Sequence, residues 1–404
     1  MHASIVSLIR RVARTGLLVG AAGGAAALLL PPDAAAAPAS AEPYYFGVSG
    51  PLTGVNAQYG EQWRAGFDLA LAALNADGGV QGHPLAYTFE DSQSDPRQSV
   101  TIAQKFVGDA RILIELGDFS SPASMAASPI YQRAGLVQLG FTNSHPDFTK
   151  GGDYIWSPSL SQAEEQPEVA KLAVSRGLHK IAVLYQNTDW GRTSRDVFAE
   201  AAKRLGATVV DSEGYQPLDK DFRATLVRVQ AAHPDGIVLI SYYADGAQIV
   251  RQARGAGIDL PIVATSSVYS PKFLELAGDA ADGVVTHTNF FADEQRPEVQ
   301  RFVSAFEARY HRQPDAFNAY AYDAVNIAAA ALRQSAEGGQ APTRRGVRDA
   351  LAQLHNVPSV IFGTFTFDSR TRRASGARNI NLVVRNGTWA LLPVSTATVA
   401  NAVR

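Results

Sequence analysis

Short apolar runs alternate with helix-length amphipathic segments along most of this chain. The runs are 45–49 (YFGVS), 85–91 (LAYTFED), 112–117 (ILIELG), 136–141 (LVQLGF), 180–185 (KIAVLY), 236–240 (GIVLI) and 283–287 (GVVTH). Their length and continuity suit buried strands. Between the first two, Trp63, Phe67, Leu71 and Leu74 recur every three or four residues and so share one helix face, and the segment stops at the Gly-rich stretch Asn75 to Gly79. Strand–helix alternation of this kind predicts parallel sheets with helices on both faces. In such sheets ligands bind beyond the carboxyl ends of the strands. Hydroxyl and aromatic residues gather there: Ser120-Ser121-Pro122 after 112–117, Thr142-Asn143-Ser144 after 136–141, Trp190 after 180–185, and Tyr242-Tyr243 after 236–240. One sheet could not easily bring all of them together, whereas two facing sheets with a cleft between them could. Ser121-Pro122 reads as a helix start with proline at the first helical position. Its serine either caps that helix or faces a ligand at the positive end of the helix dipole.

Bulk properties narrow the classes of function. Residues 1–41 join a basic start (Arg10, Arg11, Arg14), an apolar run from Gly16 to Leu30, and the small-residue end Ala39-Ser40-Ala41. That is the pattern of a cleaved secretory signal. The chain has no cysteine, so neither a disulfide nor a lipid on cysteine is available to it. With 36 basic and 38 acidic residues the net charge is −2, and the two short basic runs, Thr343 to Arg345 and Arg370 to Arg373, read as solvated faces rather than a nucleic-acid stripe. A length of 404 residues exceeds what one hydrophobic core usually supports, so two domains are expected. No nucleophile elbow, phosphate loop or zinc-protease helix occurs, and the histidines show no metal-ligand spacing. The reading is of a protein without catalysis, metal or cofactor. Glu90, Asp91 and Asp95 could imitate a cation site, but a solvated loop that caps the helix after Pro96 is the simpler account.

Several segments in fixed order carry a resemblance: GPLTG (50–54), AQYG (57–60), LNADGGVQGHPL (74–85), DSQSDPRQSV (91–100), KIAVLYQNTDWG (180–191), DKDFRATLVRVQAAHPDGIVL (219–239) and IVRQARGAG (249–257). From Gly47 to about Trp389 the chain resembles the exported leucine/isoleucine/valine-binding proteins, which are type I periplasmic binding proteins. The resemblance implies an α/β fold of two lobes, two doubly wound parallel-sheet domains joined by three hinge crossovers near residues 161, 288 and 378. One lobe would comprise 42–161 plus 288–377, the other 162–287 plus 378–404. It places ligand contacts at Tyr59, Ser121, Thr142, Ser144, Trp190, Tyr242 and Ser266, with the ligand carboxylate held at Ser121, Thr142 and Ser144. Two positions depart from the family. Trp190 stands where a Tyr is usual, and an indole donates but cannot accept a hydrogen bond. Ser266 stands where the amino-acid binders carry a Glu against the ligand ammonium, so Asp118, Asp189 or Asp245 becomes a candidate replacement, each equally readable as a helix cap or loop residue. Ser94 and Ser120 occupy the positions of a disulfide found in some relatives. The implied role is delivery of a small carboxylate-bearing solute, such as an amino acid or a related acid or amide, to ABC permease membrane subunits from the periplasm. The chain would act as a monomer, with no nucleic-acid partner. The alternative is a periplasmic sensor that passes its closed form to a signalling receptor.

Overall fold

The computed structural model describes residues 41–393. The expected signal segment, residues 1–41, therefore lies outside the described residues, save for its last position.

The first part of the chain runs β1 (Tyr44–Gly50), α1 (Ala57–Ala76), β2 (Leu85–Asp91), α2 (Pro96–Gly108), β3 (Ile112–Gly117), α3 (Ser121–Ala134), β4 (Val137–Leu139) and β5 (Ile155–Trp156). These strands form one sheet in the order β2-β1-β3-β4-β5, parallel throughout. The pattern then repeats: α4 (Gln162–Ser175), β6 (Lys180–Gln186), α5 (Asp189–Arg204), β7 (Thr208–Tyr215), α6 (Arg223–Ala231), β8 (Gly236–Ile240), α7 (Tyr243–Gly255), β9 (Ile262–Ala264), α8 (Pro271–Ala277) and β10 (Val285–Thr288). Here β7-β6-β8-β9-β10 lie side by side in parallel, which is the strand order of the first sheet over again. Each sheet reverses its winding direction once, beside its first strand, β1 or β6, and the crevice at such a switch point is where open α/β sheets take their ligands.

The chain continues through α9 (Pro297–Tyr310), α10 (Ala316–Ser335), α11 (Arg344–Leu351), the small pair β11 (Val357–Ser359) and β12 (Gly363–Phe365), and ends in β13 (Ile380–Arg385) and β14 (Thr388–Leu391). β13 adds to the second sheet antiparallel beside β10, and β14 pairs antiparallel with β13 at the sheet's edge. The second sheet is therefore a parallel core of the expected kind with an antiparallel pair added at one edge. Helices α9 and α10 return to the first sheet and pack on α1.

Local rules explain the elements that carry the site. Trp63, Phe67, Leu71 and Leu74 are all buried in the core, as the helical spacing requires. α1 ends where the Gly79 N–H donates back to Leu74 O at 2.8 Å, and Asn75 ties that end to the start of β2 through bonds to both the N–H and the C=O of Leu85. α4 opens on a capping box in which Ser161 and Glu164 satisfy one another's backbone.

The two basic runs are not simply solvated. Arg344 reaches the carboxyl end of α2 and donates to Phe106 O, Val107 O, Asp109 O and Ile112 O, filling carbonyls that a helix terminus leaves unpaired. Arg373 is buried and donates to the Asn143, His145 and Ser159 carbonyls and the Ser157 hydroxyl. Among the arginines of the two runs, only Arg345 and Arg370 are exposed. Composition cannot see this, because the acceptors are carbonyls brought near by the fold rather than acidic residues nearby in sequence.

Candidate functional site

A cavity of about 70 Å³ opens at the carboxyl ends of the strands of both sheets. One water needs roughly 10–15 Å³, so there is room for several waters or a small solute. The first sheet contributes the loops after β3 and β4, with Phe119, Ser121, Thr142 and Ser144. The second contributes Trp190 in the first turn of α5, Tyr242 ahead of α7, and the turn Thr265 to Ser267 after β9. α10 closes a third side with Phe317 and Tyr320. Larger grooves elsewhere, such as that around Lys220, Arg223 and Gln252, are open surface lined by the second sheet's elements alone.

Six of the seven residues expected from the sequence, Ser121, Thr142, Ser144, Trp190, Tyr242 and Ser266, line this cavity. Ser121 is not the helix cap. Ser120 accepts from the Ala123 N–H and caps α3, with Pro122 in the first turn. The Ser121 hydroxyl accepts from the His145 N–H at 3.4 Å and keeps its own proton to donate. Ser144 is in the same position, since its Oγ accepts from Trp190 Nε1 at 3.1 Å. The indole stacks on Tyr242 with ring centres 4.9 Å apart, so the departure from Tyr at residue 190 builds a flat, apolar wall and orients a hydroxyl of the opposite layer.

Tyr59, the seventh, does not line the cavity. Its ring is wholly buried and stacked on Phe119, with centres 3.8 Å apart. Its hydroxyl is already used, donating to Ser267 O at 2.6 Å and accepting from the Tyr243 N–H at 3.2 Å. Tyr243 returns a bond to Val55 O at 2.6 Å. Tyr59 thus joins α1 to the second sheet's loops one layer behind the cavity.

None of the three aspartates considered for residue 266 lines the cavity. Asp118 is buried under β1 and α2 and accepts from the Ser49 and Ser99 hydroxyls. Asp189 is solvent-facing beside His145 and Arg192, and buried Asp245 accepts from Gln186 at 2.9 Å. The carboxylate that does line it is Glu165, in the first turns of α4. Ser266 Oγ donates to Glu165 Oε1 at 3.4 Å. Burial pushes the Glu165 carboxyl up to about 7, against the Ser266 bond that lowers it. Sequence reading missed Glu165 because it sits amid the polar run Gln162 to Gln166, where the pattern shows a solvated helix start. Only the capping box hints at the division of labour: Glu164 closes the box, leaving Glu165 free.

The acidic loop also finds its explanation. Asp95 accepts from the Arg97 and Gln98 N–H groups and caps α2, while Asp91 accepts from the Leu52 and Thr53 N–H groups and holds the GPLTG loop. Ser94 and Ser120 do face one another, with Ser120 Oγ 3.5 Å from Ser94 O. Among the described residues no cluster of metal-ligating side chains occurs, and no helix is long and apolar enough to cross a membrane.

The profile of one family, described as periplasmic binding protein, matches residues 43–386. Over 333 residues the chain is 28% identical to the leucine-, isoleucine-, valine-, threonine- and alanine-binding protein of Pseudomonas aeruginosa, covering 82% of this chain and 87% of that one. Among solved structures, a putative branched-chain amino acid ABC transporter from Rhodospirillum rubrum is 37% identical with a TM-score of 0.64, over 87% of this chain and 100% of that one. The branched-chain amino acid transporter substrate-binding protein of Streptococcus pneumoniae, solved with isoleucine, is 25% identical with a TM-score of 0.78, over 86% and 98%.

Proposed function

The chain belongs to the periplasmic binding protein family, and from that premise we propose that it is a non-enzymatic solute receptor. In this reading it works in the periplasm, captures a small carboxylate-bearing solute and hands it to the membrane subunits of an ABC importer. The solute is a branched-chain or other amino acid, or a related acid or amide. The observation that carries the reading is a cavity at the switch-point ends of two sheets, with donor hydroxyls on the first and stacked aromatic rings on the second. Ser121, Thr142 and Ser144 are the carboxylate contacts, aided by the amino end of α3, where unpaired N–H groups and the helix dipole favour an anion. Phe119, Trp190 and Tyr242 enclose the apolar body.

The connections near residues 161, 288 and 378 serve as hinges. A ligand that touches both sheets binds the closed arrangement better than the open one and so shifts the population toward it. The relatives support the solute class: the Pseudomonas protein is named for the amino acids it binds, and the pneumococcal one was solved with isoleucine.

A thermal-shift panel of aliphatic amino acids, amides and aromatic acids tests the reading, with the protein first unfolded and refolded to strip any carried-over ligand. A true ligand at a hundredfold excess over its Kd adds about 2.7 kcal/mol, which is several degrees in Tm. A broad panel that leaves the transition unmoved would refute it.

A further inference from the structure

We propose that Glu165 is the counter-ion for a ligand ammonium group, so that the site selects zwitterionic amino acids over plain carboxylic acids; this rests on the solute-receptor reading above. Charge bookkeeping inside the cavity is the first support. Glu165 is the one charged side chain among the residues that line it, and no lysine or arginine is there to meet an anion. A simple carboxylate would enter a cavity whose only formal charge has its own sign. A zwitterion leaves the site balanced, with its negative end on neutral hydroxyls and its positive end on Glu165.

Geometry is the second support. The Glu165 side chain is relieved of capping, since Glu164 fills the box with Ser161. It is half-buried and meets the Ser266 hydroxyl of the second sheet's β9 turn. Ser266 thereby acts as a positioning residue that aims the carboxylate rather than as the charge itself. The charged and titratable groups facing Glu165 are Glu164 on its own helix, Arg373 from the segment after β12, and Tyr320 on α10. Arg373 spends its guanidinium on carbonyls and a hydroxyl, and Tyr320 donates to Asn289 at 2.9 Å, so neither forms an ion pair or hydrogen bond with Glu165. An unpaired carboxyl in this setting titrates near neutrality, and a cation beside it draws the proton off. Binding of an amino acid should therefore release a proton below about pH 7 and strengthen as pH rises through that value.

Matched pairs test the assignment by calorimetry on the whole exported chain between about pH 5.5 and pH 8.5. The probes are leucine against 4-methylpentanoate and phenylalanine against 3-phenylpropanoate. The expected result is that the amino acid binds at least about tenfold more tightly than its des-amino partner, with affinity falling toward acid. Glu165→Gln should erase that preference and the pH slope, and Glu165→Gln with Ser266→Glu should restore the preference by moving the charge one contact away. Equal or tighter binding of the des-amino acids, with affinity rising toward acid, overturns the proposal while leaving the receptor reading intact. So does an unchanged preference in Glu165→Gln. If neither member of any pair binds at any pH, the receptor reading fails and takes this one with it.

Discussion

At the scale of single residues, what a side chain does here depends on what the fold sets against it. Arg370 and Arg373 come from one basic run, yet the first faces solvent and the second is buried against Asn143, His145, Ser157 and Ser159. Burial draws the Arg373 guanidinium down to about 10, still charged at neutral pH, so its bonds are charge-assisted. Arg373→Ala should cost roughly 3 kcal/mol in urea unfolding, because it strands several buried carbonyls. Arg373→Lys should recover little of that, since an ammonium cannot span the same fork. Arg370→Ala should stay within about 0.5 kcal/mol, and equal losses at the two positions would contradict the account. Of the cavity-lining residues, Ser266 came only through the family resemblance, while five, Ser121, Thr142, Ser144, Trp190 and Tyr242, were legible as strand-end hydroxyls and aromatics. Glu165 was not, since a glutamate in the first turn of a helix looks the same whether it caps, solvates or lines a cavity.

At the scale of elements, the longer apolar strands were legible, the edge strand β2 among them, whereas β7, the short buried β9, β13 and β14 were not. β8 is GIVLI and buried throughout, whereas β7 alternates exposed and covered residues along the edge of its sheet, so no continuous apolar run marks it. β13 and β14 are likewise half-covered at the opposite edge. Helix contacts are decided by small residues that carry no hydrophobic signal. Gly66 lies where α1 crosses α10, and a Cβ there would stand 2.3 Å from Asn318 O and 2.9 Å from Ala321 Cβ. Gly66→Ala should therefore cost about 1–3 kcal/mol or more. Gly255→Ala, at the end of α7 with open space around it, should be neutral or stabilise by about 0.4–1 kcal/mol. Melting curves of the two variants decide the matter, and a neutral Gly66→Ala would show that the crossing has slack.

At the scale of the whole molecule, Tyr59 matters without lining the cavity. Its hydroxyl bonds to Ser267 O and the Tyr243 N–H, and Tyr243 bonds to Val55 O, so these contacts exist only while α1 and the second sheet's loops are together. Tyr59→Phe should weaken solute binding about 3–10-fold, the equivalent of roughly one hydrogen bond, and the cost should appear as faster release. Small-angle scattering of the solute-free variant should report a more open average shape than the parent. Unchanged affinity together with an unchanged scattering curve would mean that this bond plays no part in closure.

The residues alone determined the alternation of strands and helices, the absence of cysteine chemistry and the strand-end positions of the hydroxyls and rings, because each follows from local spacing or composition. Tertiary structure decided which charge faces the cavity, which arginine is buried, and that Tyr59 stands behind the wall. Those outcomes depend on partners between 100 and 250 positions away in the chain, as with Ser266 and Glu165 or Arg373 and Asn143, and no periodicity within one segment encodes a neighbour supplied by another.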